Sequence, residues 1–321
     1  MYCMIVLGGG SEDLSRAVND EAIVDCARYV LISPARNEGA FIEQTIKSVI
    51  SQTIIPMRWV IVSDGSTDGT NDIVKRFASQ YAWMEFVSLP ERAGRNFEGK
   101  VGAFRIGYEK VRSLEYQFIG NLDADVSFED PEYFNYLLQK FAEDPKLGVA
   151  GTPFREGTVQ YDYRFSRKEH VSGACQLFRR ECFESIGGYV PLKAGIDLAA
   201  VVSARMKGWR TETFTDKYCV HHRRMSSAKD GLIRATFRSG YYDYSLGVHP
   251  SWHFFHSVYQ MRNKPYVLSG FLLMAGYLWA AVRRSPSFVS EEFAHFRRKE
   301  QVRWLKEFIE KILRLPGRSQ D

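Results

Sequence analysis

Two aspartates two positions apart, Asp123 and Asp125 in the stretch NLDADV, are the residues best suited to chemistry in this chain of 321 residues. They close an apolar run, QFIGN, that reads as a strand, and in an extended chain alternate side chains point the same way. The pair can therefore converge on one hard divalent cation, Mg²⁺ or Mn²⁺, which binds through one or two carboxylates together with substrate phosphates. A further acid, Asp64, ends the run RWVIVSD and opens the turn-rich SDGSTDGT. Turn chemistry accounts for Gly65, Ser66, Asp68 and Gly69. A carboxylate at a strand end can in addition accept hydrogen bonds from a base or a ribose. The stretch ERAGRNFEGKVGA sets Arg92, Arg95 and Lys100 around Gly94 and Gly99 ahead of a helical pattern. A basic, glycine-containing segment there suits phosphate contact, although a solvated loop explains any single one of those side chains equally well.

The elements that must hold these groups alternate. YVLIS (29–33) reads as a strand and 40–51 as a helix; strand 58–64 is followed by a helix over 70–81, strand 84–89 by a helix over 99–113, and strand 117–125 by a helix over 131–142 and the run LGVAG. Strands separated by helices of this length predict right-handed βαβ units and an α/β fold with a mostly parallel sheet flanked by helices. The first four strands end in polar residues on one edge, where ligands bind in such sheets. The first strand stops at Pro34-Ala35-Arg36-Asn37-Glu38; Pro34 stiffens that shelf and carries no N–H in need of a partner. After about residue 152 the rhythm breaks. CQLFRRECFESIGGY reads as a strand, a short helix and a Gly-Gly turn, GIDLAAVVSARMKGW as a helix closed by Gly208, and RTETFT as a strand.

Taken in order and spacing, PARNEGAFIEQTIKSVISQT, VIVSDGSTDGT and NLDADV resemble glycosyltransferase family 2, over about residues 30–215. The resemblance implies the GT-A fold, a nucleotide-activated sugar (a UDP- or GDP-sugar) as donor, and a glycan or lipid-linked acceptor in envelope polysaccharide or glycoconjugate synthesis. It also implies that Pro34, Ala35, Arg36 and Glu38 line the nucleobase and ribose pocket and that Asp64 contacts the base. Arg92 and Lys100 would join the nucleotide site, while Asp123 and Asp125 would bracket the ribose and the metal–diphosphate. The family's general base follows a Gly-Gly turn as one of an acidic pair. Here the turn is Gly187-Gly188-Tyr189 and the carboxylate is Asp197, with Ile196 where the pair's first acid would stand. An acid at a helix start beside apolar surface can accept a hydroxyl proton; it can equally just complement the helix dipole. A later histidine completes the metal shell in some relatives, and of His221 and His222 the second is preferred. Imidazole suits Mn²⁺ better than Mg²⁺. Arg223 or Arg224 could contact phosphate instead.

Bulk properties agree with this reading. Hydrophobic residues make up 45%, enough for a full core, and the net charge of +5 permits contact with phosphates or an anionic membrane without requiring nucleic acid. Five cysteines, an odd number with no C-x-x-C pair, indicate neither a disulfide framework nor a zinc site and fit a reducing, cytoplasmic setting. Residues 1–28 read as a lead-in whose Gly8-Gly9-Gly10 lacks dinucleotide-loop spacing. Residues 29–223 read as the catalytic domain, divided into a nucleotide-binding half (29–126) and an acceptor-binding half (127–223). Residues 224–321 form a helical, basic and apolar extension. Within it, YVLSGFLLMAGYLWAAV (266–282) has seventeen residues without a charge, at the lower limit for spanning a bilayer and basic on both flanks. An interfacial, re-entrant or buried helix fits better. The tail from Glu291 is amphipathic, suited to an anionic leaflet, to its own domain or to a homodimer interface. QVRW (301–304) is one residue short of the Q-x-x-R-W signature of processive synthases.

The sequence thus predicts a metal-dependent, inverting transfer of a single sugar, with the chain peripheral on the cytoplasmic face of the membrane. A sugar nucleotidyltransferase would carry a glycine-rich N-terminal loop with nearby Arg and Lys, which GGGSED lacks. The alternative, a non-catalytic sugar-nucleotide-binding or membrane-scaffold protein, draws only on the missing acid at position 196.

Overall fold

A computed structural model of the chain describes residues 27–91, 97–157, 159–160, 167–223, 231–262 and 266–313. The glycine run of the lead-in, Arg92, Arg95 and Arg224 lie outside these. The central sheet has seven strands in the order β10-β6-β9-β4-β1-β2-β3. These are β1 (Tyr29–Ala35), β2 (Arg58–Asp64), β3 (Met84–Leu89), β4 (Phe118–Leu122), β6 (Leu147–Gly151), β9 (Cys175–Arg179) and β10 (Arg210–Thr213). β1, β2, β3 and β4 run parallel, as do β6 and β10, and β9 lies antiparallel between β4 and β6. The mostly parallel sheet expected from the alternating pattern is present, with one reversed strand.

β1 and β2 are buried on both faces, which is why they read as continuous apolar runs rather than alternating ones. Their period of two still sorts the side chains. Tyr29, Leu31, Trp59 and Ile61 enter one core with Ile42, Ile46 and Val49 of helix α1 (Ile42–Ile50). Val30, Ile32, Val60 and Val62 enter the other, with Val101 and Phe104 of α3 (Phe97–Val111). Helix α2 (Thr70–Ala78) and helix α4 (Tyr133–Glu143) complete the flanking layers, and Val74 and Phe134 join the first core. The chain leaves β1 toward β2 and β3 on one side, then returns to place β4 on β1's other side. Between β1 and β4 lies the switch point at which open α/β sheets bind ligands.

A second, four-stranded sheet, β5-β11-β7-β8, was not legible in the sequence. β5 (Val126–Ser127), β7 (Phe154–Glu156), β8 (Val159–Gln160) and β11 (Cys219–His221) are two or three residues long, too short for a periodic signal. After the short helix α5 (Arg180–Ser185) come Gly187 and Gly188, both at positive φ as the Gly-Gly turn requires, and then α6 (Ile196–Met206).

The C-terminal helices are α7 (Leu232–Ser245), α8 (Pro250–Gln260), α9 (Leu268–Val282) and α10 (Glu291–Leu313). The amphipathic tail, α10, docks on its own domain. Arg205 of α6 donates from Nε and Nη2 to the two carboxylate oxygens of Glu300, at 2.8 and 3.0 Å, and both side chains are nearly buried. Removing one partner of such a pair costs about 3–5 kcal/mol, because the other charge is left stranded. QVRW belongs to this packing: Gln301 Oε1 accepts the His249 N–H and Trp304 lies against Trp252. No helix of the described residues is long and apolar enough to cross a membrane.

Candidate active site

The loops after β1 and β2 are stitched together by polar contacts. Asn37, at φ +53, accepts the Thr67 N–H on its side-chain oxygen, while its own N–H donates to Ser66 Oγ. The Glu38 N–H donates to Thr70 Oγ1 and the Gly39 N–H to Asp68 Oδ2, each at 2.9 Å. The serines, threonines and aspartates of SDGSTDGT thus fix the shelf rather than merely turning the chain. Arg36 Nη1 donates to the Asp64 carbonyl at 2.8 Å and lies 3.6 Å from its carboxylate. Pro34 is half-buried, while Ala35 and Asp64 are buried.

Glu38 is also buried, and its carboxylate is engaged by Arg223. Arg223 in turn donates to the Asn37 carbonyl and stands 3.4 Å from Asp125 Oδ2. In this arrangement Glu38 braces the shelf, through Arg223, against the Asp125 turn. Its burial requires that its charge be paired, and Arg223 supplies the partner. Arg223, expected only as one option for phosphate, is the clasp between the two.

Asp123 and Asp125 converge, but not along a strand. β4 ends at Leu122, and the Val126 N–H donates back to the Asp123 carbonyl at 3.2 Å, closing a turn. Asp123 is further held by its N–H to the Ala174 carbonyl, and Asp125 by its carbonyl, which accepts the His222 N–H. β11 pairs antiparallel with β5 so that His221 faces Val126. Its Nε2 comes to 3.6 Å from Asp125 Oδ1, and ligand atoms of Asp123, Asp125 and His221 all lie within 4.8 Å of one another. His222, the expected third ligand, points elsewhere: its Nε2 pairs with Ser127 Oγ at 2.8 Å and its ring stacks on Phe41. Neighbouring residues of an extended segment project to opposite sides, and the register gives the inward side to His221.

The donor set fits a divalent cation. Two carboxylates and an imidazole suit Mn²⁺ better than Mg²⁺. Behind the imidazole, His221 Nδ1 lies 3.3 Å from Glu156 Oε1, a carboxylate placed to orient the ring.

A cavity of about 200 Å³ opens on this cluster. Lys100 of α3, Asp123 of the turn after β4, His221 of β11 and Asp197 of α6 line it. Lys100, expected to meet phosphate, is hydrogen-bonded to Asp123. Burial works against its ammonium, yet Asp123, with Asp197 and Asp125 behind it, holds its pKa above the ordinary lysine value. Burial likewise lifts the Asp123 carboxyl above the usual range, with the Lys100 charge opposing and Asp125 reinforcing. His170 is pushed down by burial against the pull of Asp197.

Asp197 occupies the first turn of α6, following Gly195 at φ +67. Gln176, unnoticed in the sequence, steadies it. Gln176 accepts the Tyr189 hydroxyl at 2.7 Å and donates to the carbonyls of Val171 (2.9 Å) and Asp197 (3.4 Å). Tyr189 is packed between Phe104 and Phe178, so the Gly-Gly-Tyr turn positions the acid through one side chain. The structure therefore brings together Asp123, Asp125, Lys100 and Asp197, and leaves Asp64 and Arg36 on the adjoining shelf.

The sequence model of the family described as Glycosyl transferase family 2 matches residues 30–201, more than half of the chain. The poly-β-1,6-N-acetyl-D-glucosamine synthase of Staphylococcus epidermidis is 31% identical over 118 residues, 36% of this chain and 26% of that protein. The synthase of the same name from Staphylococcus aureus (strain COL) is 31% identical over 119 residues, with the same coverage. The matched segment thus spans about a quarter of these relatives. Among solved structures, the mannosyltransferase PcManGT from Pyrobaculum calidifontis in complex with GDP-Man and Mn²⁺ aligns with a TM-score of 0.54 at 19% identity, covering 94% of this chain and 88% of that one. S. aureus TarS 1-349 in complex with UDP-GlcNAc aligns at 0.52 and 17% identity, covering 84% and 78%. The shared architecture is that of GT-A glycosyltransferases.

Proposed function

The chain belongs to glycosyl transferase family 2, and from that premise we propose that it moves a single sugar, with inversion, from a nucleotide-sugar donor to a hydroxyl of a glycan or lipid-linked acceptor. One observation carries this reading: Asp123 and His221, clustered with Asp125, line the same cavity as Asp197 at the sheet's switch point.

Arg36 and Asp64 hold the base and ribose on the shelf after β1 and β2. Asp123, Asp125 and His221 would hold a divalent cation, which when bound supplies positive charge to the leaving diphosphate. Lys100 adds a fixed cationic donor on the same side, where negative charge grows as the sugar–phosphate bond breaks. Asp197 takes the proton from the acceptor hydroxyl as its oxygen attacks the anomeric carbon from the face opposite the diphosphate. The bond to the diphosphate oxygen breaks with its electron pair, and the nucleoside diphosphate leaves. The gap left by Ile196 removes the pair's first acid but not the one at the helix start.

The test is Asp197→Asn. Transfer should fall to background while calorimetric binding of a nucleoside diphosphate with Mn²⁺ stays at the wild-type level. Undiminished transfer would remove Asp197 from the reaction. Release of nucleoside diphosphate from a panel of sugar donors, with Mn²⁺ and with EDTA, identifies the donor.

A further inference from the structure

Helix α9 is apolar on two opposite faces, and only one of them is covered. The covered face carries small residues. A Cβ on Gly276 would fall 1.9 Å from the Phe237 carbonyl oxygen of α7, and one on Gly270 would fall 2.3 Å from the Ser257 carbonyl oxygen of α8. The helix is therefore pressed onto both neighbours, and Leu273, Tyr277 and Ala280 fill the seam. On the opposite side Leu268, Phe271, Ala275, Leu278 and Val282 recur at intervals of three and four, all exposed. Phe271 is 61% and Val282 83% open to solvent. Phe254, Phe255 and Val258 of α8 and Leu232 and Ile233 of α7, the two helices packed against it, are exposed as well. An exposed apolar stripe running the length of a helix marks a binding face.

The charge around it selects the partner. Residues 231–290 contain six Arg and Lys and a single acid, Asp243, which is tied to His253 at 3.1 Å. Arg283 lies over the Trp279 ring at 4.5 Å and Arg262 over the Tyr259 ring at 5.8 Å, so that aromatic rings and cations share the rim of the apolar strip. This combination suits the boundary between headgroups and acyl chains, where rings and basic stems sit half in each phase. A second copy of the chain is the poorer occupant, since a two-fold interface would set each cationic rim against itself. At a rise of 1.5 Å per residue, fifteen residues reach about 22 Å, short of the roughly 30 Å hydrocarbon core. Such a helix is too short to cross a bilayer.

We propose that α9, with the adjoining ends of α7 and α8, is a membrane-docking face that recognises anionic phospholipid. This goes beyond the glycosyl-transfer reading and does not depend on it.

The experiment is co-sedimentation of the full chain with phosphatidylcholine vesicles and with vesicles that also contain phosphatidylglycerol. Binding should require the anionic lipid and weaken with salt. Arg283→Ser and Arg284→Ser should each cost about five-fold. Phe271→Asp, at an exposed site, should cost more than about ten-fold while leaving nucleotide binding unchanged. Brominated lipid should quench a fluorescence component that disappears in Trp279→Phe, a readout that does not depend on Phe271→Asp folding. Equal sedimentation with neutral and anionic vesicles, absence of Trp279 quenching, or a dimer that Phe271→Asp dissolves without any vesicle binding would each overturn the proposal.

Discussion

Gly173 and Asp197 stand so close that no methyl group fits between them. A Cβ built on Gly173 would lie 2.8 Å from Asp197 Oδ2, 2.9 Å from its Cβ and 3.0 Å from its Cγ. The stem of Asp197 is hit as well as its tip, so rotation of the carboxylate cannot relieve the clash. The Gly173→Ala variant should therefore fold, since its backbone is not in the left-handed region, yet hold Asp197 out of line. A displacement of about 1 Å at a reacting group can cost about 10²-fold. Steady-state kinetics should show that loss in kcat, with nucleoside diphosphate affinity unchanged.

His221 and His222 make opposite predictions for metal affinity. His221→Ala removes a group within ligand distance of Asp123 and Asp125, whereas His222→Ala removes a partner of Ser127. Calorimetric titration with Mn²⁺ should show at least about a ten-fold weaker Kd for His221→Ala and for Asp125→Asn. His222→Ala should stay within about three-fold of wild type. The reverse order would restore His222 as the ligand.

The crossing of α7 and α9 depends on two glycines. Besides the contact at Gly276, a Cβ on Gly240 would sit 1.9 Å from the Leu273 carbonyl oxygen. Neither backbone can yield without parting the helices. Gly276→Ala should lower stability by about 1–3 kcal/mol, the usual cost of overpacking, read as a drop in the thermal midpoint.

Asp243 gives stability a defined acid limb. Burial alone would raise its pKa, but hydrogen bonds from His253 and His256, with the charges of His256 and Arg297 nearby, hold it well below the ordinary carboxylate range. A carboxylate depressed in the folded state contributes stability that is complete above its unfolded pKa of about 3.9 and lost as pH falls below that value. Chemical denaturation at a series of pH values should show wild type ahead of Asp243→Asn at about pH 5. The margin should shrink below about pH 4. A margin that widened on acidification would contradict the assignment.

The order of elements was legible because helices and strands of the first half are long enough to show their periods, and each strand's polar end falls at the switch-point edge. Asp123, Asp125 and Asp197 were legible as acids at element boundaries. The choice of His221 over His222 was not, because it depends on the register of a three-residue strand. Gly173 and Gln176 gave no signal either. One acts by lacking a side chain, the other by bonding to backbone carbonyls, and neither leaves a mark in residue type or spacing. The clasp of Glu38 by Arg223 joins positions 185 residues apart, a distance that local patterning cannot bridge.

Gly195, the residue that opens α6, meets Leu246 at the end of α7, where an added Cβ would lie 2.9 Å from Leu246 Cδ1. The corner between α7 and α8 is thus a wall of the bed on which Asp197 rests, and Arg297 of α10 buttresses that wall by donating to the Leu246 carbonyl at 2.8 Å. A chain cut back to its sheet-bearing part would keep Asp64, Asp123, Asp125 and Asp197 and still lose the surface that aligns the last of them. Force applied to the outer helices has a short mechanical route, through Leu246 and Gly195, to the Asp197 wall of the cavity.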